Sequence, residues 1–232
     1  MIYSSFLAAI LAMLSTALPL DTPIDAAEES KYTEYGSYGS YGTYDGYEIS
    51  DKTVSPPPET PAVPGNFVAI STRSGDPDVH LRAVSASNQR FFIGKDTSTY
   101  CPLSDCSTYV NFTVFSARPN DANSNLGLFT ATPGGQAAFV TEDGQLGYTQ
   151  AHSGLQPTGS VNLPFQYTPE TVPNTIGTFK FNSGGWTACP VDDSPGTYQI
   201  YALAAQGFSR TNCTGIGIAT VSYDGSPAYQ YN

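Results

Sequence analysis

The chain has 232 residues, a formal net charge of -11 and only 12% charged side chains, alongside 22 glycines, 18 prolines and 16 tyrosines. So acidic a chain, with nine Lys and Arg in all, offers no cluster of cations to neutralise phosphates, which argues against nucleic acid as a partner. The Gly- and Pro-rich mixture disfavours long helices and suits short strands joined by turns, so the fold class expected is all-β.

Residues 1–17 read as a secretory signal peptide. Met1 to Thr16 is uncharged, the apolar run extends from Phe6 to Leu14, and the small residues Ser15 and Ala17 place cleavage near Ala17. That run falls short of the roughly 20 apolar residues needed to span a bilayer as a helix, and no later segment approaches that length. A secreted protein without a transmembrane segment, soluble or wall-bound, is expected.

Residues 18–65 have different physics. Their large aliphatic side chains are limited to Leu18, Leu20, Ile24, Ile49, Val54 and Val63, too few to offset the entropy of ordering, and the segment is expected to be disordered. It is also the acidic part of the chain, because between Asp21 and Glu59 nine Asp and Glu face only Lys31 and Lys52. Tyr35-Gly36-Ser37-Tyr38-Gly39-Ser40-Tyr41-Gly42-Thr43-Tyr44 repeats every three residues. Ser55 to Pro64 then favours extended polyproline II and reads as a stiff spacer. A solvated tether is the simplest reading. Evenly spaced phenols also suit stacking on carbohydrate or oxidative cross-linking, and the neighbouring hydroxyls suit O-linked sugars.

Residues 66–232 carry the pattern of a β domain, read as a single antiparallel β-sandwich or jelly-roll-like fold. Strands are expected at Phe67 to Ile70, Val79 to Val84, Phe91 to Gly94, Val110 to Phe115, Leu126 to Thr130 and Ala137 to Thr141. Glu142-Asp143-Gly144 signals a hairpin turn into Gln145 to Thr149, with Gly144 suited to a positive φ. Further strands are expected at Phe165 to Thr168, Ile176 to Phe181, Trp186 to Pro190, Tyr198 to Ala202 and Ile216 to Tyr223. About a dozen strands in this length suffice for one sizeable core.

The four cysteines, Cys101, Cys106, Cys189 and Cys213, all lie in that domain, and an even count in an exported chain indicates disulfides. Of three possible pairings, Cys101 with Cys106 and Cys189 with Cys213 is favoured. No metal is expected, since the spacings do not suit zinc and only His80 and His152 exist to help. Asn111-Phe112-Thr113 and Asn212-Cys213-Thr214 are N-glycosylation sequons, the second weakened by the cysteine at its centre, whose folding competes with modification.

Catalytic chemistry finds little purchase. His152 is the better candidate base for nucleophilic catalysis, but no Gly-x-Ser-x-Gly elbow accompanies it, and His80 sits beside Val79 and Leu81 as an ordinary polar residue. Glu142, Asp143, Asp192 and Asp193 are the carboxyls available for glycoside hydrolysis, yet both pairs sit in sequences that make turns. Trp186 is a possible platform for glycan stacking, with core packing as the competing reading. No catalytic residue and no cofactor are assigned.

The order of several segments resembles a family of secreted cell-wall proteins of filamentous fungi. The segments are Val68-Ala69-Ile70-Ser71-Thr72-Arg73-Ser74-Gly75, Val79-His80-Leu81, Gly147-Tyr148-Thr149, Trp186-Thr187-Ala188-Cys189-Pro190, and Tyr198 to Tyr201 followed by Cys213-Thr214-Gly215. That family is known for the phialide-development wall protein and for relatives described as IgE-binding. The resemblance implies a small secreted wall-associated protein linked to development of spore-bearing cells, with no catalytic residues to carry over. The leading expectation is a non-catalytic structural or adhesive wall protein, with wall polysaccharide or other wall proteins as partners. The Tyr-Gly-Ser segment and the Pro-rich spacer depart from the family's compact pattern. A carbohydrate-binding or effector-like module is the alternative, and a polysaccharide-acting enzyme a more distant one.

Overall fold

The computed structural model describes residues 65–171 and 175–232. The signal peptide and the acidic Tyr- and Pro-rich segment lie outside the described residues. Fourteen strands occur among those described: β1 (Gly65–Thr72), β2 (Val84–Ser87), β3 (Arg90–Ile93), β4 (Thr99–Tyr100), β5 (Phe115–Ala117), β6 (Leu126–Leu128), β7 (Gln136–Val140), β8 (Leu146–Tyr148), β9 (Phe165–Thr168), β10 (Gly177–Phe181), β11 (Trp186–Pro190), β12 (Tyr198–Ala202), β13 (Thr214–Ser222) and β14 (Gln230–Tyr231). The all-β expectation holds, and β9, β11 and β12 occupy the spans read from sequence.

Nine strands close on themselves in the order β1-β5-β6-β7-β8-β3-β12-β11-β13 and back to β1. The result is a barrel-like ring in which every named pairing is antiparallel. An odd number of strands cannot alternate direction around a simple cylinder, so the ring must bend sharply somewhere. The strands able to absorb that bend are those that change partner along their length. β1 pairs β13 from Phe67 to Thr72, while it also pairs β5 from Gly65 to Phe67 and then meets Ala83 at Ile70; β13 pairs β11 at Thr214 to Ile216 and β10 at Ala219 and Thr220. The β9–β10 hairpin hangs from β13, and β2 flanks β3.

Alternation fills the interior. Phe67 and Ala69 of β1, Phe165 and Tyr167 of β9, and Phe179 and Phe181 of β10 are buried, with more exposed residues between them. Their rings form a connected aromatic core: Phe67 stacks on Tyr167 at 4.1 Å and approaches Phe115 at 5.4 Å, Phe115 meets Phe91 at 5.1 Å, and Phe91 meets Tyr148 at 5.1 Å. Each such pair contributes about 0.5–1.5 kcal/mol beyond area burial.

β3, β8, β11 and β12 are buried on both faces rather than one. A cause lies in the connection between β12 and β13, which folds back over the outside of the sheet. Phe208 meets the Tyr201 ring at 6.2 Å, the Arg210 guanidinium stands 4.6 Å over that ring, and Gly207 N–H donates to Glu142 O at 3.0 Å. The Cys189–Cys213 disulfide fastens this flap to β11, and Cys101–Cys106 closes a surface loop.

The hairpin at Glu142-Asp143-Gly144 forms as expected, with Gly144 N–H donating to Thr141 O at 2.9 Å and a φ of +91° at Gly144. A side chain there meets both the end of β12 and the flap: a Cβ would lie 2.9 Å from Ala202 O and 3.3 Å from Ala205 Cβ. Gly144→Ala is expected to cost about 1–2 kcal/mol from the backbone alone, with the clash adding to it. The midpoint of urea unfolding measures the loss.

The C-terminal segment is built into the core. Gln136, 3% exposed, donates from Nε2 to Thr149 O and Tyr231 O at 3.0 and 2.9 Å and accepts Tyr231 N–H at 2.7 Å. Tyr231 OH donates to Phe112 O and accepts from Val114 N–H, and Tyr148 OH donates to Asn232 O. Burial is the main cause that pushes both phenols, Tyr148 and Tyr231, well above the ordinary tyrosine value. The unfolded chain releases these protons near pH 10 while the folded chain retains them. Stability is therefore fully present below about pH 10 and falls as pH rises, by up to about 1.4 kcal/mol per pH unit for each tyrosine. Denaturant midpoints measured from pH 8 to 11.5 are expected to be flat and then decline.

Two expected strands are corrected. Val79 to Val84 is mostly a turn: Asp76 Oδ1 accepts Asp78 N–H, Asp76 O accepts the N–H groups of Val79 and His80, and Leu81 adopts a φ of +57°. Asp76-Pro77-Asp78 sets this turn, because proline lacks a ladder donor and the Asx side chain competes for the backbone. Within Val110 to Phe115 only Phe115 joins a strand, since Thr113 Oγ1 takes the Ala86 N–H and Val114 N–H goes to Tyr231 OH.

Candidate functional site: an aromatic rim

The candidate catalytic residues do not converge. His152 is exposed, with φ +62° and Nε2 3.3 Å from Thr132 Oγ1, and His80 Nδ1 accepts the Arg73 N–H at 3.1 Å. Asp143 accepts from Thr141 Oγ1 at 2.5 Å and from Gln145 Nε2 at 3.3 Å, which is hairpin-turn bonding. Asp192 and Asp193 are exposed in the turn between β11 and β12, next to the Pro190↔Tyr198 pair. The Glu142–Asp143 turn lies by the other end of β12, where Ala202 N–H donates to Gly144 O at 2.8 Å. β12 is five residues long, so the two acid pairs are separated by about 13 Å of strand, more than the roughly 5–9.5 Å between glycosidase carboxyls.

Trp186 is also corrected as a stacking platform. It is 1% exposed, its Nε1–H donates to Phe179 O at 2.8 Å, and its ring stacks on Phe179 at 5.1 Å and 16°. A ring so enclosed packs the core.

Exposed aromatic surface gathers elsewhere, where the loop from β3 to β5 meets the C-terminal segment. β4 pairs β14, placing Tyr100 opposite Gln230; Val110 N–H donates to Pro227 O at 3.2 Å. Tyr109 meets Tyr229 edge to face at 5.3 Å, and Phe112 meets Tyr223 likewise at 5.6 Å. Tyr100 is 51% and Phe112 42% exposed, while Tyr109, Tyr223 and Tyr229 are half-buried. Asn111, whose side chain is exposed, lies in the chain between Tyr109 and Phe112. Asp105 on the adjoining disulfide loop is held below the usual carboxylate range by the Ser107 N–H it accepts at 2.9 Å. Aromatic faces with no cation cluster suit a neutral sugar chain better than a polyanion. The sequence reading passed over this rim, although the tyrosines flanking the Cys101–Cys106 loop and those from Tyr223 onward signalled it.

Open grooves of about 390 Å³ along β5–β6–β7 and about 300 Å³ along β10–β11–β13 each carry a single charged lining residue, Arg118 and Lys180 respectively. Among the described residues no group of three or more His, Cys, Asp or Glu is placed to hold a metal ion. No helix among them is long and apolar enough to cross a membrane.

A closed antiparallel ring with a disulfide-fastened flap and a sequon amid exposed aromatics defines a secreted-type, all-β module. Residues 67–232 match the family model described as PhiA-like secreted protein. The chain is 34% identical over 147 residues to an uncharacterized secreted protein of Arthroderma benhamiae, an alignment covering 60% of this chain and 69% of that protein. No solved structure matches. The chain belongs to the PhiA-like secreted protein family, and it is a secreted fungal protein.

Proposed function

We propose that this protein is a non-catalytic structural or adhesive component of the fungal cell wall that holds wall polysaccharide on its aromatic rim. The observation that carries the reading is the exposure of Tyr100 and Phe112 on a rim organised by edge-to-face aromatic pairs. Large apolar rings left open to water at one place on a small domain mark a binding surface, and sugar faces stack on such rings. Residues 66–232 serve as the folded module, 18–65 as an acidic tether, and 1–17 as the export signal. Asn111 and Asn212, both exposed, carry N-glycans in this reading. The family membership and the resemblance to phialide-development wall proteins support a role in wall development of spore-bearing cells.

Binding to insoluble fungal wall polysaccharides tests the rim. The full secreted chain is expected to bind saturably, and Tyr100→Ala with Phe112→Ala to weaken binding by roughly tenfold or more, at about 1–3 kcal/mol per lost stack. Melting should fall only modestly, because about half of each side chain is already open to water and the main loss is the contact of Phe112 with Tyr223. Undiminished binding by the double variant would move the site off the rim.

A further inference from the structure

A smaller pocket lies where four connections meet. The Glu142-Asp143-Gly144 turn, the β8–β9 loop, the β10–β11 turn and the flap enclose about 280 Å³, just below the roughly 300–1,000 Å³ usual for small-molecule sites. Backbone hydrogen bonds tie these walls together. Val161 and Val140 exchange two bonds at 2.8 Å, Asn182 N–H donates to Pro164 O at 2.9 Å, and Gly207 N–H donates to Glu142 O at 3.0 Å. The pocket is therefore formed without a ligand.

Its walls are largely apolar and its charge is single. Val161 and Leu163 are 45% and 43% exposed, and both line the same concavity, which Pro164 and Phe181 continue. Large apolar side chains left open together in a hollow mark a binding surface more than scattered ones do. Glu142 is the one charged lining residue. Its neighbour Asp143 is occupied by Thr141 Oγ1 and Gln145 Nε2, whereas neither ion pair among the described residues, Arg73 with Asp76 and Arg118 with Asp121, involves Glu142. Two glycine backbones press on the Glu142 side chain: a Cβ at Gly159 would lie 3.3 Å from its Oε2, and one at Gly207 3.4 Å from its Cγ. A carboxylate without a cation is thus held beside an aliphatic surface.

We infer that this pocket binds a small primary amine on a hydrocarbon body, with the ammonium on Glu142 and the hydrocarbon along Val161 and Leu163. An ammonium brings three donors, and the amide-bearing side chains of Asn182 and Gln206 line the pocket beside the carboxylate. An acidic ligand meets the wrong charge. A sugar finds no open ring face to stack on, since Phe181 is 3% exposed. No ring of the aromatic rim contributes, so the site stands or falls independently of the polysaccharide reading.

Titration of the full secreted chain with n-hexylammonium, followed by methyl NMR shifts and calorimetry, tests the assignment. Saturable binding with shifts at the Val161 and Leu163 methyls is expected, and hexanol, hexanoate and glucosamine should each bind at least about tenfold more weakly. Glu142→Gln should weaken hexylammonium by about tenfold and leave hexanol unchanged, which shows the apolar walls intact. Leu163→Ser should weaken both. Failure to saturate, equal affinity for hexanol or glucosamine, or full hexylammonium affinity in either variant would overturn the proposal.

Discussion

Replacing Trp186 with alanine is expected to destabilise the protein by about 3–5 kcal/mol, the range for emptying a large buried aromatic site. The side chain fills the core at the start of β11, between partners Ala202 of β12 and Ile216 of β13, and lies flat on Phe179. Removing it opens a cavity where three strands meet. It also strips Phe179 O of the indole N–H that satisfies it, adding the cost of a buried acceptor left unpaired. Tm should fall by on the order of 10 °C. Trp186→Phe keeps most of the volume and should lose less, though the carbonyl stays unpaired. Polysaccharide binding, measured at a temperature where the variant remains folded, should match the wild type. Lost binding with unchanged melting would return Trp186 to the role of a sugar platform.

The second large effect is expected from Cys189→Ala with Cys213→Ala. The bond closes a loop of sequence separation 24, and the chain-entropy relation gives about 3.5 kcal/mol for a loop of that size. The structural consequence is specific. The flap from Leu203 to Cys213 would then be held by noncovalent contacts: Leu203 N–H on Gly185 O, Ala204 and Ala205 against the core, Phe208 and Arg210 on Tyr201, and Gly207 on Glu142. Tyr201 and the outward side of β12 would become accessible when it lifts. Amide exchange should therefore accelerate first in the flap and then in β11 and β12. Cys101→Ala with Cys106→Ala should cost less, because its loop has a separation of only 5 and lies on the surface.

The sequence made the local elements legible and the global closure illegible. β9, β11 and β12 stood out because they combine β-branched or aromatic residues with clear turn punctuation at both ends. The Gly144 hairpin stood out because an Asp-Gly turn has a backbone requirement that few other residues meet. Val79 to Val84 shows the opposite case: an alternating pattern of apolar residues was overruled by the Asp-Pro-Asp turn just before it. β4 and β14 are two residues each and left no periodic trace. The meeting of these two strands builds the rim, so the site depended on contacts far apart in the chain, such as Tyr109 with Tyr229. Trp186 was ambiguous because a tryptophan in a strand serves either face, and only closure of the ring decided that it points inward.

The most direct test of the wall-protein account incubates the full secreted chain with purified fungal wall, following depletion of the protein and release of reducing ends in the same wells. Saturable depletion without sugar release is the predicted result. Release of reducing ends above the wall-only control would contradict the non-catalytic claim and turn attention to the carboxylates of the two turns.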